Sequence, residues 1–135
     1  MNQTVNLHLP QFEATDRIHH DDFNEAFQTL DTLPRIVTGT YTGDGQSEHF
    51  IDLGFTPKAV LVFRCDGLNY FQSTHLYSYG GLALQEHPCV PDSNSSTVKY
   101  ITVEEGGFKV YAVHDANCYA RTNESGSCYH YIAFV

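Results

Sequence analysis

Residues 58–65 form an extended run that is apolar on both faces, and that pattern leaves little freedom of fold. With the two-residue period of a strand, Ala59, Leu61, Phe63 and Cys65 share one face, and Val60 and Val62 share the other. A strand with one wetted face alternates apolar with polar residues. A strand apolar on both faces belongs in the middle of a sheet, buried from either side. The approach to it is equally constrained. Gly54 tolerates positive φ, while Pro57 fixes its own φ and biases Thr56 away from helix. Gly54-Phe55-Thr56-Pro57 therefore reads as a tight corner that delivers Lys58 into the strand.

The rest of the chain beyond residue 35 has the same character. Residues 36–42 are rich in Thr and Val and stop at Thr42-Gly43-Asp44-Gly45, a turn signal, with 48–53 as the return strand. Residues 69–79 are aromatic and polar without a clear period, and Gly80-Gly81-Leu82-Ala83-Leu84 follows. Residues 87–96 hold two prolines and a Ser/Asn cluster, so they read as a surface loop. Segments 97–103, 108–114 and 128–135 close the domain, with turns at Glu104-Glu105-Gly106-Gly107 and Asn123-Glu124-Ser125-Gly126. About seven or eight short strands joined by turn chemistry predict a mainly β chain, an antiparallel β-sandwich of jelly-roll-like form over residues 35–135. The last strand is again apolar or aromatic on both faces. Cys128, His130, Ile132 and Phe134 lie on one face, and Tyr129, Tyr131, Ala133 and Val135 on the other. One face can fill the core, which leaves the other to meet a helix or a neighbouring subunit.

Residues 1–34 read as a separate arm and short helix. Val5-Asn6-Leu7-His8-Leu9-Pro10 alternates like an extended arm, and Thr15-Asp16-Arg17-Ile18-His19-His20 is turn-like. A helix is predicted from Asp21 or Asp22, where Asp22 and Glu25 fit a capping box, and Pro34 ends it. Phe23, Ala26, Leu30 and Leu33 recur at coiled-coil spacing, with Phe27 widening the stripe. A helix this short does not persist alone in water, so the stripe is expected to pack on its own domain or on copies of itself.

Composition excludes several classes. Sixteen acidic residues against seven basic ones give a net charge of −9 with no basic run, which disfavours nucleic-acid binding. The longest apolar run, 59–63, is far too short to span a bilayer as a helix. Met1-Asn2-Gln3-Thr4 lacks the basic and apolar regions of a signal peptide, so folding in a cytoplasm is expected. The sequons at Asn2, Asn94 and Asn123 are then incidental. The four cysteines, Cys65, Cys89, Cys118 and Cys128, include no close pair of the kind zinc sites use. A Cys118–Cys128 bridge across a hairpin is one alternative, but a reducing compartment favours four unbonded thiols. Adjacent His19-His20-Asp21-Asp22 side chains diverge, and His75, His87, His114 and His130 are scattered, so neither a metal nor any other cofactor is expected.

Two blocks resemble a known family. Thr38-Gly39-Thr40-Tyr41-Thr42-Gly43-Asp44-Gly45 with Ile51-Asp52-Leu53-Gly54-Phe55-Thr56-Pro57-Lys58-Ala59-Val60-Leu61-Val62-Phe63 looks like the signature of a phage and prophage tail-protein domain. Gly80-Gly81-Leu82-Ala83, Gly107-Phe108-Lys109-Val110 and Tyr129-His130-Tyr131-Ile132-Ala133-Phe134 resemble its later blocks. Leu7-His8-Leu9-Pro10, Thr15-Asp16-Arg17-Ile18 and Asp22-Phe23-Asn24-Glu25-Ala26-Phe27 are similar to the start of tail-fibre and baseplate-associated proteins. The resemblance brings no catalytic residues with it. It implies a virion protein of the tail, assembled in the host cytoplasm, with a structural or adhesive role. The partners it implies are tail or baseplate proteins and a glycan or protein of the host surface.

Catalysis has little to build on. There is no Gly-x-Ser-x-Gly elbow, Cys65 falls on the central strand, and Glu104 and Glu105 lie at a hairpin tip. The chain is expected not to be an enzyme, with a glycan-active enzyme as the third reading. Binding is better served. Asn69, Tyr70, His75, Tyr77 and Tyr79 combine aromatic faces with amide and hydroxyl groups, and Tyr119, Arg121 and Asn123 repeat that chemistry in a later loop. The competing reading places these aromatics in the core or at a subunit interface. Phe23, Ala26, Phe27, Leu30 and Leu33 are the candidate oligomerisation residues, and a homotrimer is the state the tail-fibre analogy favours. A purely structural capsid-decoration or baseplate component is the alternative role.

Overall fold

The protein is described as a computed structural model covering residues 2–91 and 97–135. Of the expected 87–96 loop, residues 92–96, and with them the Asn94 sequon, lie outside the described residues. The chain divides into two compact units, Met1–Pro34 and Arg35–Val135.

In the first unit, β1 (Asn2–Gln3) and β2 (Pro10–Gln11) pair antiparallel, with Asn2 opposite Gln11. The extended arm predicted over 5–10 is corrected: Pro10 pairs with Gln3, and residues 5–9 fold back as a loop. Thr4 closes it, its N–H donating to the Leu9 carbonyl at 2.9 Å and its hydroxyl accepting the Leu9 N–H at 3.0 Å. Helix α1 (His20–Asp31) starts slightly earlier than the sequence suggests. His19, and not Asp22, is the N-cap, and the Asp22 carboxylate accepts the His19 N–H at 3.1 Å. The helix closes at Thr32, whose N–H reaches the Gln28 carbonyl at 3.2 Å. Phe23 meets Phe12 with ring centroids 5.3 Å apart. None of the helix residues is buried, and Phe27 is 63% exposed.

The second unit is mainly β. Its strands are β3 (Ile36–Thr42), β4 (Glu48–Asp52), β5 (Ala59–Arg64), β6 (Tyr70–Gln72), β7 (Leu76–Ser78), β8 (Gly81–Leu84), β9 (Ile101–Glu104), β10 (Gly107–Tyr111), β11 (Cys118–Ala120) and β12 (Cys128–Phe134). They form an antiparallel sheet in the order β3-β12-β5-β8, a second in the order β4-β10-β9, and a third, small one in the order β11-β7-β6. β5 is internal, flanked by β12 and β8, but the expected burial from either side is corrected: only the Val60 and Val62 face is buried, and Ala59, Leu61 and Phe63 lie half-buried on the outer face. Gly54 adopts φ 76° at the corner before it, and Pro57 is fully buried.

The first two sheets share a sandwich core. Val60, Val62, Ala83, Tyr129 and Ala133 of the four-stranded sheet face Ile101, Phe108 and Val110 of the second, and all eight are solvent-excluded. Tyr129 stacks on Tyr41 at 5.0 Å, and Phe108 meets Tyr41 and Tyr131 edge-on at 6.1 and 5.2 Å. Each Val, Ile or Phe side chain among them contributes roughly 1.5–3 kcal/mol by leaving water. Tyr131 crosses over Gly39 on the neighbouring strand. A Cβ there would lie 2.6 Å from the Tyr131 Cζ, so any larger residue requires the Tyr131 ring to move.

Two features depart from expectation. Residues 48–53 are not the return strand of 36–42: β4 pairs with β10 in the opposite sheet, while β3 pairs with β12. The turn between β3 and β4 is drawn across the sandwich by the 123–127 segment. Gly43 N–H donates to the Ser127 carbonyl at 2.9 Å, and Gly45 N–H to the Asn123 carbonyl at 3.0 Å. The expectation of four unbonded thiols is also corrected. Cys65 and Cys128 form a disulfide, and Cys65, not Cys118, is the partner of Cys128. These two residues lie directly opposite, one step beyond the Arg64–Tyr129 pair, with Cα atoms 5.4 Å apart, the separation a bridge needs. Cys118 instead points into the core from β11.

Candidate binding surface

The third sheet gathers the aromatic side chains. Its antiparallel β6–β7 pair sets Phe71 opposite Tyr77, and its parallel β7–β11 pair sets Tyr77 beside Tyr119. A lone bridge then places His114 against Tyr119. Adjacent strands lie about 4.8 Å apart, so side chains at one register position are forced into a row. Phe71 and Tyr77 centroids are 5.9 Å apart, Tyr77 and Tyr119 are stacked at 5.0 Å, and Tyr119 and His114 are stacked at 4.7 Å. His75 joins edge-on, 5.2 Å from Tyr119. Strand alternation turns Ser78, Cys118 and Ala120 the other way, into the interior.

Guanidinium groups cap this surface. Arg121 lies over Tyr77 at 4.8 Å, and Arg64, from β5, lies over Tyr79 at 4.6 Å. Glu124 bridges them, accepting from Arg121 at 2.6 Å and from Arg64 at 3.5 Å. Arg64 also grips Asp66, which holds the Asp66 carboxyl down to about 2. The resulting chain Asp66–Arg64–Glu124–Arg121 alternates in sign and sums to zero.

The backbone beneath is pinned by buried hydroxyls. Tyr129 donates to the Arg121 carbonyl at 2.6 Å, and Tyr41 to the Thr122 carbonyl at 2.7 Å. Burial pushes both phenols above their ordinary range, so they stay protonated donors. The Thr122 hydroxyl donates to the Tyr100 carbonyl at 2.6 Å and accepts the Tyr111 N–H at 2.9 Å. Arg121 and Glu124 are therefore presented from a fixed segment, which is what a preorganised contact requires. Beside them a shallow cleft of about 530 Å3 opens between His114, Tyr119, Arg121, Glu124 and Ser125.

Of the predicted binding residues, the structure brings together His75, Tyr77 and Arg121, and joins Tyr119 to them. Tyr79 is buried under Arg64. Asn69 serves as a strand-end acceptor, its carbonyl taking the Tyr79 N–H at 2.9 Å. Tyr70 points away from the row, since alternation sets it on the opposite side of β6 from Phe71, and its hydroxyl donates to Gln72 at 2.8 Å. Asn123 is corrected from a contact residue to a buried one, with no exposed surface. Its side-chain oxygen accepts the Asp44 N–H at 3.1 Å and the His49 Nδ1–H at 3.1 Å. Its amide donates to the Asp44 carboxylate at 2.6 Å and the Gln46 carbonyl at 3.0 Å. A sequon asparagine so enclosed is closed to glycosylation.

Sequence reasoning missed His114 and Glu124 as members of the site. His114 read as the tail of a strand and Glu124 as one residue of a turn. Their own contacts are local, His114 on Tyr119 and Glu124 on Arg121, and the non-local pairing of β11 with β7 sets that segment beside Tyr77. The oligomerisation candidates Phe23, Ala26, Phe27 and Leu30 lie on α1 and Leu33 just after it, on an open stripe. On the second unit, the outer face of the four-stranded sheet is also apolar: Ile36 and Phe134 lie in one row with Leu84, and Ile132 and Leu61 in the next with Leu82. Ile36 is 63% exposed there and Leu82 50%. Among the described residues, no three His, Cys, Asp or Glu side chains converge as a metal site would need, and no helix is long and apolar enough to cross a membrane. Comparison with family models, with curated proteins and with solved structures returned no match.

Proposed function

We propose that this chain is a non-catalytic binding module of a phage or prophage virion, of the tail-fibre type, that contacts the host surface through the row Phe71–Tyr77–Tyr119–His114. The observation that carries this reading is the row itself. Four rings in register and a stacked guanidinium stand outside the core on a framework held by buried hydrogen bonds. Aromatic and Arg side chains of this kind are the groups on which contact energy concentrates. The tail-protein resemblance of residues 38–63 supplies the setting, a particle assembled in the host cytoplasm. The Cys65–Cys128 bridge fits a later life outside the reducing compartment, where an exposed thiol pair at the end of adjacent strands is free to oxidise.

A second role has its own observation. The open stripe of α1 and the apolar outer face of the four-stranded sheet are surfaces that copies of this chain, three in the tail-fibre analogy, or neighbouring tail or baseplate proteins would cover.

The test is adsorption. Fluorescent protein is mixed with a panel of bacterial strains that includes the host of the matching prophage. Binding to at least one strain, reduced about tenfold by Tyr77→Ala, is the expected result. Binding that is indifferent to Tyr77→Ala and Phe71→Ala, or absent from every strain, overturns the contact reading.

A further inference from the structure

The cleft at the His114 end of the row has a chemistry of its own. We infer that it receives one ring of an uncharged, hydroxyl-rich ligand, a sugar unit within a neutral glycan. This rests on the reading of the protein as a surface-contact module and names what it contacts.

The argument begins with the wall. Tyr119 lies between two stacked neighbours: Tyr77 faces it from β7, and His114 from the opposite side of β11. Both of its faces are taken. What it offers the cleft is its edge and hydroxyl, while the outward face of the exposed His114 imidazole is the flat surface a ring can lie on. A sugar ring has the matching shape, with a C–H face for stacking and a rim of hydroxyls.

The polar side then selects among flat ligands. Arg121, the cation of the lining, is matched at 2.6 Å by Glu124, and Glu124 is shared with Arg64. The lining therefore has no surplus positive charge, and the protein carries −9. A phosphate, sulfate or carboxylate would arrive against the field and find no unmatched cation. An apolar ring would strip water from the Glu124 and Arg121 edges without replacing their hydrogen bonds. A pair of vicinal hydroxyls does neither, because each donates and accepts at once. A carboxylate beside a guanidinium, with the Ser125 hydroxyl near, answers both roles. The volume of about 530 Å3 is within the range of small-ligand sites, and the openness of the cleft to solvent suits one unit of a chain that continues outward.

The experiment is an NMR titration of the full chain. The probes are maltohexaose, a β-1,4-galactan hexamer and chitohexaose as neutral glycans, and an oligosialic acid hexamer as the anionic control. The expected result is that at least one neutral probe moves the amides of 114, 119–121 and 124–125, and that the oligosialic acid leaves them in place. His114→Ala, at an exposed position that leaves the fold intact, should weaken the neutral probe about tenfold, and Tyr119→Ala at least as much. Four outcomes overturn the inference: no response to any neutral probe, preference for the anionic one, shifts elsewhere, or unchanged affinity in His114→Ala. The adsorption assay keeps the two readings apart. Cell binding that depends on Tyr77 but is untouched by saturating neutral glycan discards the sugar cleft and leaves the contact surface standing. Glycan binding at the cleft with no adsorption to any strain does the reverse.

Discussion

Asn123 shows how much one side chain can organise. It has four hydrogen-bond partners from the 44–49 segment and no exposed surface, and it lies next to the Arg121–Glu124 pair it helps to place. Asn123→Ala would remove the partner of the Asp44 N–H, the His49 Nδ1–H and the Gln46 carbonyl, which belong to exposed or half-buried residues that water can partly reach. Each lost hydrogen bond of this kind costs about 0.5–1.5 kcal/mol net. The expected loss is about 2–4 kcal/mol in urea unfolding, with an unchanged m-value. A loss below about 0.5 kcal/mol would show that water reaches the knot and that Asn123 is not its centre. Nothing in Asn123-Glu124-Ser125-Gly126 as a string distinguishes this residue from an exposed turn asparagine. Its burial depends on the 42–46 turn lying against it, a contact about 80 residues away in sequence. The carboxylates near this surface carry the pH dependence. Asp44, Asp66 and Asp115 are all held below the ordinary carboxylate range, Asp44 and Asp66 chiefly by their side-chain partners Asn123 and Arg64 and Asp115 by backbone N–H groups.

At the scale of elements, strength of pattern decided what could be read. The strands β3, β5 and β12 follow from two-residue alternation and long apolar runs, and β5 lies in the middle of its sheet as its pattern requires, although only one of its two apolar faces is buried. The strands β6, β7 and β11 are three residues each and carry Tyr, Gln, Ser and Cys in place of an apolar run. Their order comes from the sheet they build, so the aromatic residues were legible as chemistry and illegible as a row. The β3–β4 connection misled for a related reason: Gly43-Asp44-Gly45 has the composition of a hairpin turn, and tertiary hydrogen bonds redirect it. The disulfide belongs at this scale too, because it joins β5 to β12 at the end nearest the site and closes a loop of 63 residues in sequence. Replacing both cysteines, Cys65→Ser with Cys128→Ser, should lower stability by up to about 4 kcal/mol through the freed unfolded chain. Equal stability of the double variant and the oxidised protein would remove the bridge from the list of stabilising elements.

For the whole molecule, the division at residues 34 and 35 carries a simple expectation. Among the described residues, the solvent-excluded core residues all belong to Arg35–Val135 and none to Met1–Pro34. A fragment of residues 35–135 should therefore fold with a cooperative transition, its midpoint within about 5 °C of the full chain. Light scattering at micromolar concentration then assigns the assembling surface. If the full chain is a trimer and the fragment a monomer, α1 holds the copies together; if the fragment is still a trimer, the outer sheet face does. A fragment that fails to fold would show that the first unit contributes to the core of the second.

The alternation within β7 and β11 has a consequence for how such a protein changes over time. Leu76, Ser78, Cys118 and Ala120 face inward and hold the small sheet to its support, while Tyr77 and Tyr119, one step along, face outward. Each short strand thus carries two texts interleaved letter by letter, one addressed to the fold and one to whatever the protein meets. The outward letters can be rewritten singly without disturbing the inward ones. A lineage under pressure to follow a shifting target would therefore vary at 71, 77, 114 and 119, and keep 76, 78, 118 and 120 still.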